Sequence, residues 1–311
     1  MFFEIAAVIL PVFLLVFLGF FACSVHLLEK WFVDNLAKLC QDFGIPFLLF
    51  FNLAIIDLNN AFDFQILICF YISMVISFLA ISCISYFIFK QPYINSIILG
   101  FCAMFSNGVL LGLPISERAF GSESLFINYT IIIGHAPFCY LVGITLIEVM
   151  KNDKTSFFFG LRNSLVAIFY NNLAIGILLG IGFNILNFEF SVHTKELLRI
   201  GTVWIIPVSL FTMGGVLYFY RITNSYKLPF TIIIASLLLQ PAVVYLLGVY
   251  IWNIDLYYLR NAVIMAAMAP GLNAYFFANM YDCCRATVAT TICASTALTI
   301  FSSSFWIYIL S

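Results

Sequence analysis

Charge is scarce in this chain. Only 9% of its 311 residues are Asp, Glu, Lys or Arg, and only three are histidine. Ordinary soluble domains carry about 25% charged residues, so a water-facing surface around a single core is excluded. No basic cluster of the kind nucleic acid requires is present, and the formal net charge is −1. The sequence has no His-Glu-x-x-His zinc pattern, no Gly-x-Ser-x-Gly elbow and no ATP-binding motif. An enzyme and an ATP-driven pump therefore find no support. Rings of charged residues or repeated filter segments, which a channel would need, are absent too. Nine cysteines are scattered without metal-ligand spacing, and the odd count fits no disulfide framework. They read as small buried hydrophobes, and neither a metal nor a bound cofactor is expected. Cys283 and Cys284 beside Arg285 admit a second reading, as acyl carriers.

Apolar residues fill the space that charge leaves. They make up 64% of the chain, and the mean hydropathy is +1.11. Runs of about 20 apolar residues, enough to cross ~30 Å of hydrocarbon, recur from end to end. Ten are expected, at 3–24, 35–56, 65–89, 95–114, 125–149, 163–187, 196–219, 228–252, 260–280 and 286–310. The first has no basic segment before it and no small-residue cleavage site after it, so it is expected to stay as a span. The chain thus reads as one all-α integral membrane domain over 1–311, a multi-pass protein of the inner (plasma) membrane. Connections after odd-numbered spans hold nine of the 13 Lys and Arg residues, and the opposite side holds four. Cytoplasmic loops carry the excess, which puts both termini on the outer side.

Two spans break the apolar rule in matching places. The fourth contains Phe105-Ser106-Asn107-Gly108 and then Gly112-Leu113-Pro114, and the ninth contains Ala269-Pro270-Gly271-Leu272-Asn273. Backbone freed inside a membrane is tolerated only where protein buries it or it lines a cavity. A matched pair of such interruptions points to the binding site of a secondary transporter.

An offset of 161 residues aligns several landmarks of the two halves. Leu18-Gly19 falls on Leu179-Gly180, and Ile45-Pro46 through Phe50 falls on Ile206-Pro207 through Phe211. The broken centres need a further slip of a few residues. Two repeats, about 1–150 and 163–311, follow from this. Each holds five spans, an odd number, so the copies must insert in opposite orientations.

The stretch from Asn107 to Gly121 resembles the Asn-x-x-x-x-Gly-x-Pro…Tyr/Phe-Gly segment of the auxin efflux carrier family. Ala269-Pro270 through Ala278 and Tyr281 is similar to that family's second interruption. The resemblance covers nearly the whole chain and lies with bacterial, malonate-transporter-like permeases, because no long hydrophilic loop follows the fifth span. It implies a sodium/proton-antiporter-like arrangement in which spans four and nine are broken and cross at mid-membrane, beside span two. It also implies a homodimer. One departure is Ser106, which stands where the plant carriers place Pro.

Broken helices present unpaired N–H groups and a positive dipole end to an anion, and freed carbonyls to a cation. The expected substrate-binding residues are Asn107, Gly108, Pro270, Gly271 and Asn273, with Asn52 from span two. Pro114, Gly112, Pro46 and Pro207 are expected to shape the crossover and its hinges. Asn side chains in membrane helices also serve plain helix contacts, worth ~1 kcal/mol, and that reading stays open for Asn52. His135 in the fifth span reads either as a proton-coupling group or as a neutral imidazole bonded to a neighbouring helix. No carboxylate lies at the centre of a span: Glu4, Asp57, Asp63, Glu117, Glu148 and Asp282 all fall near span ends. Coupling to H+ or Na+ therefore stays open. The expected function is alternating-access transport of a small organic anion, a mono- or dicarboxylate such as malonate, across the lipid bilayer. The alternative is a sodium-coupled carrier of bulkier organic anions.

Overall fold

The computed structural model describes residues 2–56, 64–122, 125–151, 172–223 and 225–310. Among these residues the chain is helical and forms no strand. Among the described residues thirteen helices follow one another along the chain. They are α1 (Phe2–Ser24), α2 (Lys30–Ile55), α3 (Phe64–Ile88), α4 (Tyr93–Met104), α5 (Leu113–Phe120), α6 (Leu125–Lys151) and α7 (Asn172–Ile185). The rest are α8 (Val192–Val203), α9 (Ile205–Phe219), α10 (Lys227–Ile251), α11 (Leu256–Ala266), α12 (Leu272–Met280) and α13 (Arg285–Leu310).

Among the described residues, seven helical stretches are long and apolar enough to cross a membrane: α1, α2, α3, α6, α8 with α9, α10 and α13. Ten were expected. The fourth and ninth spans each divide into two short helices, α4 with α5 and α11 with α12, because Gly, Pro and Asn interrupt them. The expected start of span six, with Lys154 and Arg162, lies outside the described residues, as do Asp57 and Asp63. From that span the structure describes α7, a shorter apolar helix. Large apolar side chains such as Leu10, Leu14 and Phe17 on α1 and Phe301 and Phe305 on α13 are exposed, as side chains facing lipid must be.

The chain divides into two compact units, each drawing helices from both halves of the sequence. The first comprises the described residues of Met1–Leu10, Asp63–Leu165 and Tyr220–Ser311. Its centre is α4, on which every residue from Ser96 to Met104 is buried. A π-helical turn at Ala235–Leu239 interrupts α10. Such turns release carbonyls from the regular ladder, and here the Leu237 carbonyl accepts from Ser302 Oγ at 2.8 Å and Trp306 Nε1 at 3.2 Å on α13. Near the other end of the unit, the Arg118 guanidinium donates to the carbonyls of Ala7 and Val8, each at 2.9 Å.

The second unit comprises the described residues of Pro11–Phe62 and Val166–Phe219. Its helices approach through glycine. A Cβ on Gly19 would lie 1.8 Å from the Phe211 carbonyl oxygen, and one on Gly180 would lie 2.7 Å from the Phe50 carbonyl oxygen. Both contacts therefore demand hydrogen in place of a side chain. The end of α2 is closed by Asn184 on α7, whose amide donates to the carbonyls of Leu53 at 2.9 Å and Ile56 at 2.6 Å. Those are last-turn carbonyls with no partner in their own helix.

Candidate functional site

The two interruptions meet within the first unit. α4 stops at Met104, and Phe105 to Asn107 run extended until a π-helical turn, Gly108–Gly112, leads into α5. α11 stops at Ala266, and α12 resumes at Leu272. Ser106 and Pro270 pair as an isolated antiparallel bridge. The Asn107 amide donates to the Ala269 carbonyl at 2.8 Å, and the Gly271 amide donates to the Phe105 carbonyl at 2.9 Å. Pro270 has no N–H to offer, so its place opposite Ser106 leaves no donor stranded. Each break thus supplies the hydrogen bonds that the other lacks, which satisfies the rule for irregular backbone inside a membrane.

Four helix ends converge there. α4 and α11 end at the crossover, while the Gly108–Gly112 turn and α12 begin at it. Beginning ends carry partial positive charge and finishing ends partial negative charge, so the crossover can receive an anion and a cation side by side. Asn107 opens one beginning end and is 7% exposed; its carbonyl accepts from the amides of Leu111 at 3.1 Å and Gly112 at 3.2 Å. Asn273 lies in the first turn of α12 and is half-buried.

Pro270, Gly108 and Gly271 are buried in the crossover itself. Gly108 and Gly112 make room for α11: a Cβ on Gly108 would lie 2.5 Å from Met265 Cε, and one on Gly112 would lie 2.5 Å from Met265 Sδ. Pro114 stands in the first turn of α5, where a missing N–H costs nothing. Pro46, Pro207 and Asn52 belong to the second unit. Pro46 follows the π-helical turn Cys40–Gly44 in α2 and starts its second, regular half. Pro207 is the third residue of α9, just after the break at Trp204. Asn52 is half-buried on α2, and its carbonyl accepts from the Ile56 amide at 3.2 Å.

His135 reaches the crossover from α6. Its Nε2 lies 3.5 Å from Ser106 Oγ, and the ring interacts with the backbone of Met104. Phe105 and Phe70 flank it edge-on, with centroids 4.9 and 5.8 Å away, and the residue is 7% exposed. Ser106 is the residue that sequence reasoning passed over as a site; its position before Asn107 was visible, but its partner on α6 was not. Among the described residues, no group of three His, Cys, Asp or Glu side chains is placed to hold a metal ion.

No curated protein matches the chain. The family described as Membrane transport protein matches residues 5–307. That match does not favour the carrier of bulkier anions. With that coverage over a crossover of paired, broken helices, the chain belongs to the auxin efflux carrier-like membrane transport family.

Proposed function

We propose that this membrane transporter is a permease for a small organic anion, a mono- or dicarboxylate such as malonate, working by alternating access. The antiparallel pairing of Phe105–Asn107 with Ala269–Gly271 is the observation that carries the reading. It gathers two beginning helix ends in a buried place with no lysine or arginine among the crossover residues. A carboxylate there would be held by backbone N–H groups and by the amides of Asn107 and Asn273.

Two inverted five-helix repeats, making ten spans in all, would explain how such a crossover arises. In support, the Gly19–Phe211 and Gly180–Phe50 contacts exchange under the same 161-residue offset that aligns the sequences. His135, bonded to the crossover, is the candidate for proton coupling, with Na+ as the other coupling ion. Placement in the inner membrane with both termini outside, and a homodimeric state, complete the proposal.

Purified protein in liposomes, offered a panel of mono- and dicarboxylates under imposed pH or sodium gradients, tests it. Saturable carboxylate uptake is the expected result. Failure of every carboxylate under both gradients would overturn the substrate class.

A further inference from the structure

A second polar layer lies about two helical turns from the crossover, between α5, α6 and α11. The register of α5 against α11 is fixed at both ends. Gly112 faces Met265, and eight residues further along α5 the Phe120 ring stacks on the Arg260 guanidinium at 4.4 Å, with Tyr257 at 4.4 Å on the same group. The helices run antiparallel, so one turn from the Gly112–Met265 contact brings Ser116 opposite Asn261. Asn128 on α6 stands level with them. Its neighbour Tyr129 interacts with the charge of Glu117 on α5, and Phe126 meets Tyr258 on α11 at 6.3 Å.

Ser116, Asn128 and Asn261 are each 0% exposed. Among the described residues their hydroxyl and both amides have no hydrogen-bond partner, and neither has the buried Arg260 Nε. Buried polar groups are nearly always bonded to protein, water or an ion. Three such side chains gathered at one depth on three touching helices call for something to bond.

We propose that this layer binds one small monovalent inorganic anion, of halide size, at a site separate from the crossover. The donors available are two Asn Nδ2 groups, the Ser116 hydroxyl and Arg260 Nε–H, which together make an anion-coordinating set. The guanidinium at the rim attracts an anion and repels a cation. Glu117 is exposed and one residue away from Ser116, off the Gly112–Ser116–Phe120 face that meets α11. The layer is sealed from solvent, which limits the ligand to a few atoms.

Thermal unfolding of the purified full-length protein in detergent tests this at constant ionic strength. Sodium chloride and bromide are titrated against sodium sulfate, whose anion is larger and divalent, and each is repeated with potassium. The expected result is a saturable rise of several degrees for the small anions, the same with either cation. Asn261→Ala should abolish the saturable rise, and Asn107→Ala in the crossover should keep it. If Asn261→Ala does not fold, Ser116→Ala must weaken the anion response at least tenfold in half-saturating concentration. A rise that follows the cation, a rise unchanged in these variants, or no saturable rise in the wild type overturns the proposal. Because the probes are inorganic ions and include no carboxylate, failure here leaves the carboxylate uptake test standing on its own.

Discussion

The backbone amide of Asn107 donates to the carbonyl of Ala269 across 2.8 Å, tying together helix breaks from opposite halves of the chain. The bond fixes Asn107 at the start of a helical turn. Asn107→Ala leaves the backbone bond intact and removes the amide. Uptake should fall at least about tenfold, equivalent to about 1.4 kcal/mol of site affinity, with the amount of protein in the membrane unchanged. Asn273→Ala should behave alike. Full uptake by both variants, measured alongside membrane abundance, would discard the carboxylate reading.

His135 and Ser106 meet at 3.5 Å beside the crossover. If the imidazole carries the coupling proton, His135→Gln should retain substrate binding but lose the dependence of uptake on an imposed pH gradient. Glutamine preserves a hydrogen-bonding group of similar length and cannot take up a proton near neutral pH. Intact proton dependence in that variant would leave His135 a structural role only.

Glycine contacts in the second unit should be sharply position-dependent. Gly19→Ala forces a methyl to within 1.8 Å of the Phe211 carbonyl oxygen, a backbone atom that cannot swing aside, whereas Gly182 has nothing within 4 Å. Gly19→Ala is expected to cost about 1–3 kcal/mol or more, and Gly182→Ala to be neutral or slightly stabilising. Thermal unfolding midpoints in one detergent compare the two directly.

Asn184 closes the end of α2 through the carbonyls of Leu53 and Ile56. Asn184→Leu keeps the approximate volume and strands both acceptors. A loss of about 1–3 kcal/mol is expected, read as a lowered unfolding midpoint. An unchanged midpoint would mean that lipid headgroups or water replace the amide without penalty.

Burial pushes the Cys284 thiol, in the link between α12 and α13, up to about 12. The thiolate is the reactive form, so below that value its fraction falls about tenfold per pH unit. In a Cys283→Ser background, maleimide labelling of Cys284 should be slow at pH 7 and rise about tenfold for each unit of pH. Rapid labelling at neutral pH would revive the acyl-carrier reading of this pair.

The crossover was legible because Gly, Pro and Asn are conspicuous where a continuous membrane helix would favour Leu, and because two such breaks fell in corresponding spans. The pairing partner was legible only approximately. Ser106 lies opposite Pro270, a few residues away from the offset that aligns Pro46 with Pro207. The π-helical turns in α2, α3 and α10 left no periodicity signal, since one extra residue per turn hardly alters an apolar run. The layer of Ser116, Asn128 and Asn261 was invisible for a different reason. A single Asn in a span looks the same whether it bonds a neighbour, faces lipid headgroups or stands unpartnered, and only the register of three helices distinguishes these.

Neither compact unit is contiguous in sequence, and this has a consequence for biosynthesis. The first unit requires α3 to α6 from early in translation and α10 to α13 from its final third, and the second requires α1 and α2 together with α7 to α9. Half a chain leaving the ribosome therefore cannot complete either unit. The Leu237 carbonyl waits for Ser302 and Trp306, and Phe105 waits for Gly271. Early helices must stay inserted with their partners still unmade until the last span arrives, so a nonsense mutation anywhere before α13 should leave a product for membrane quality control to degrade.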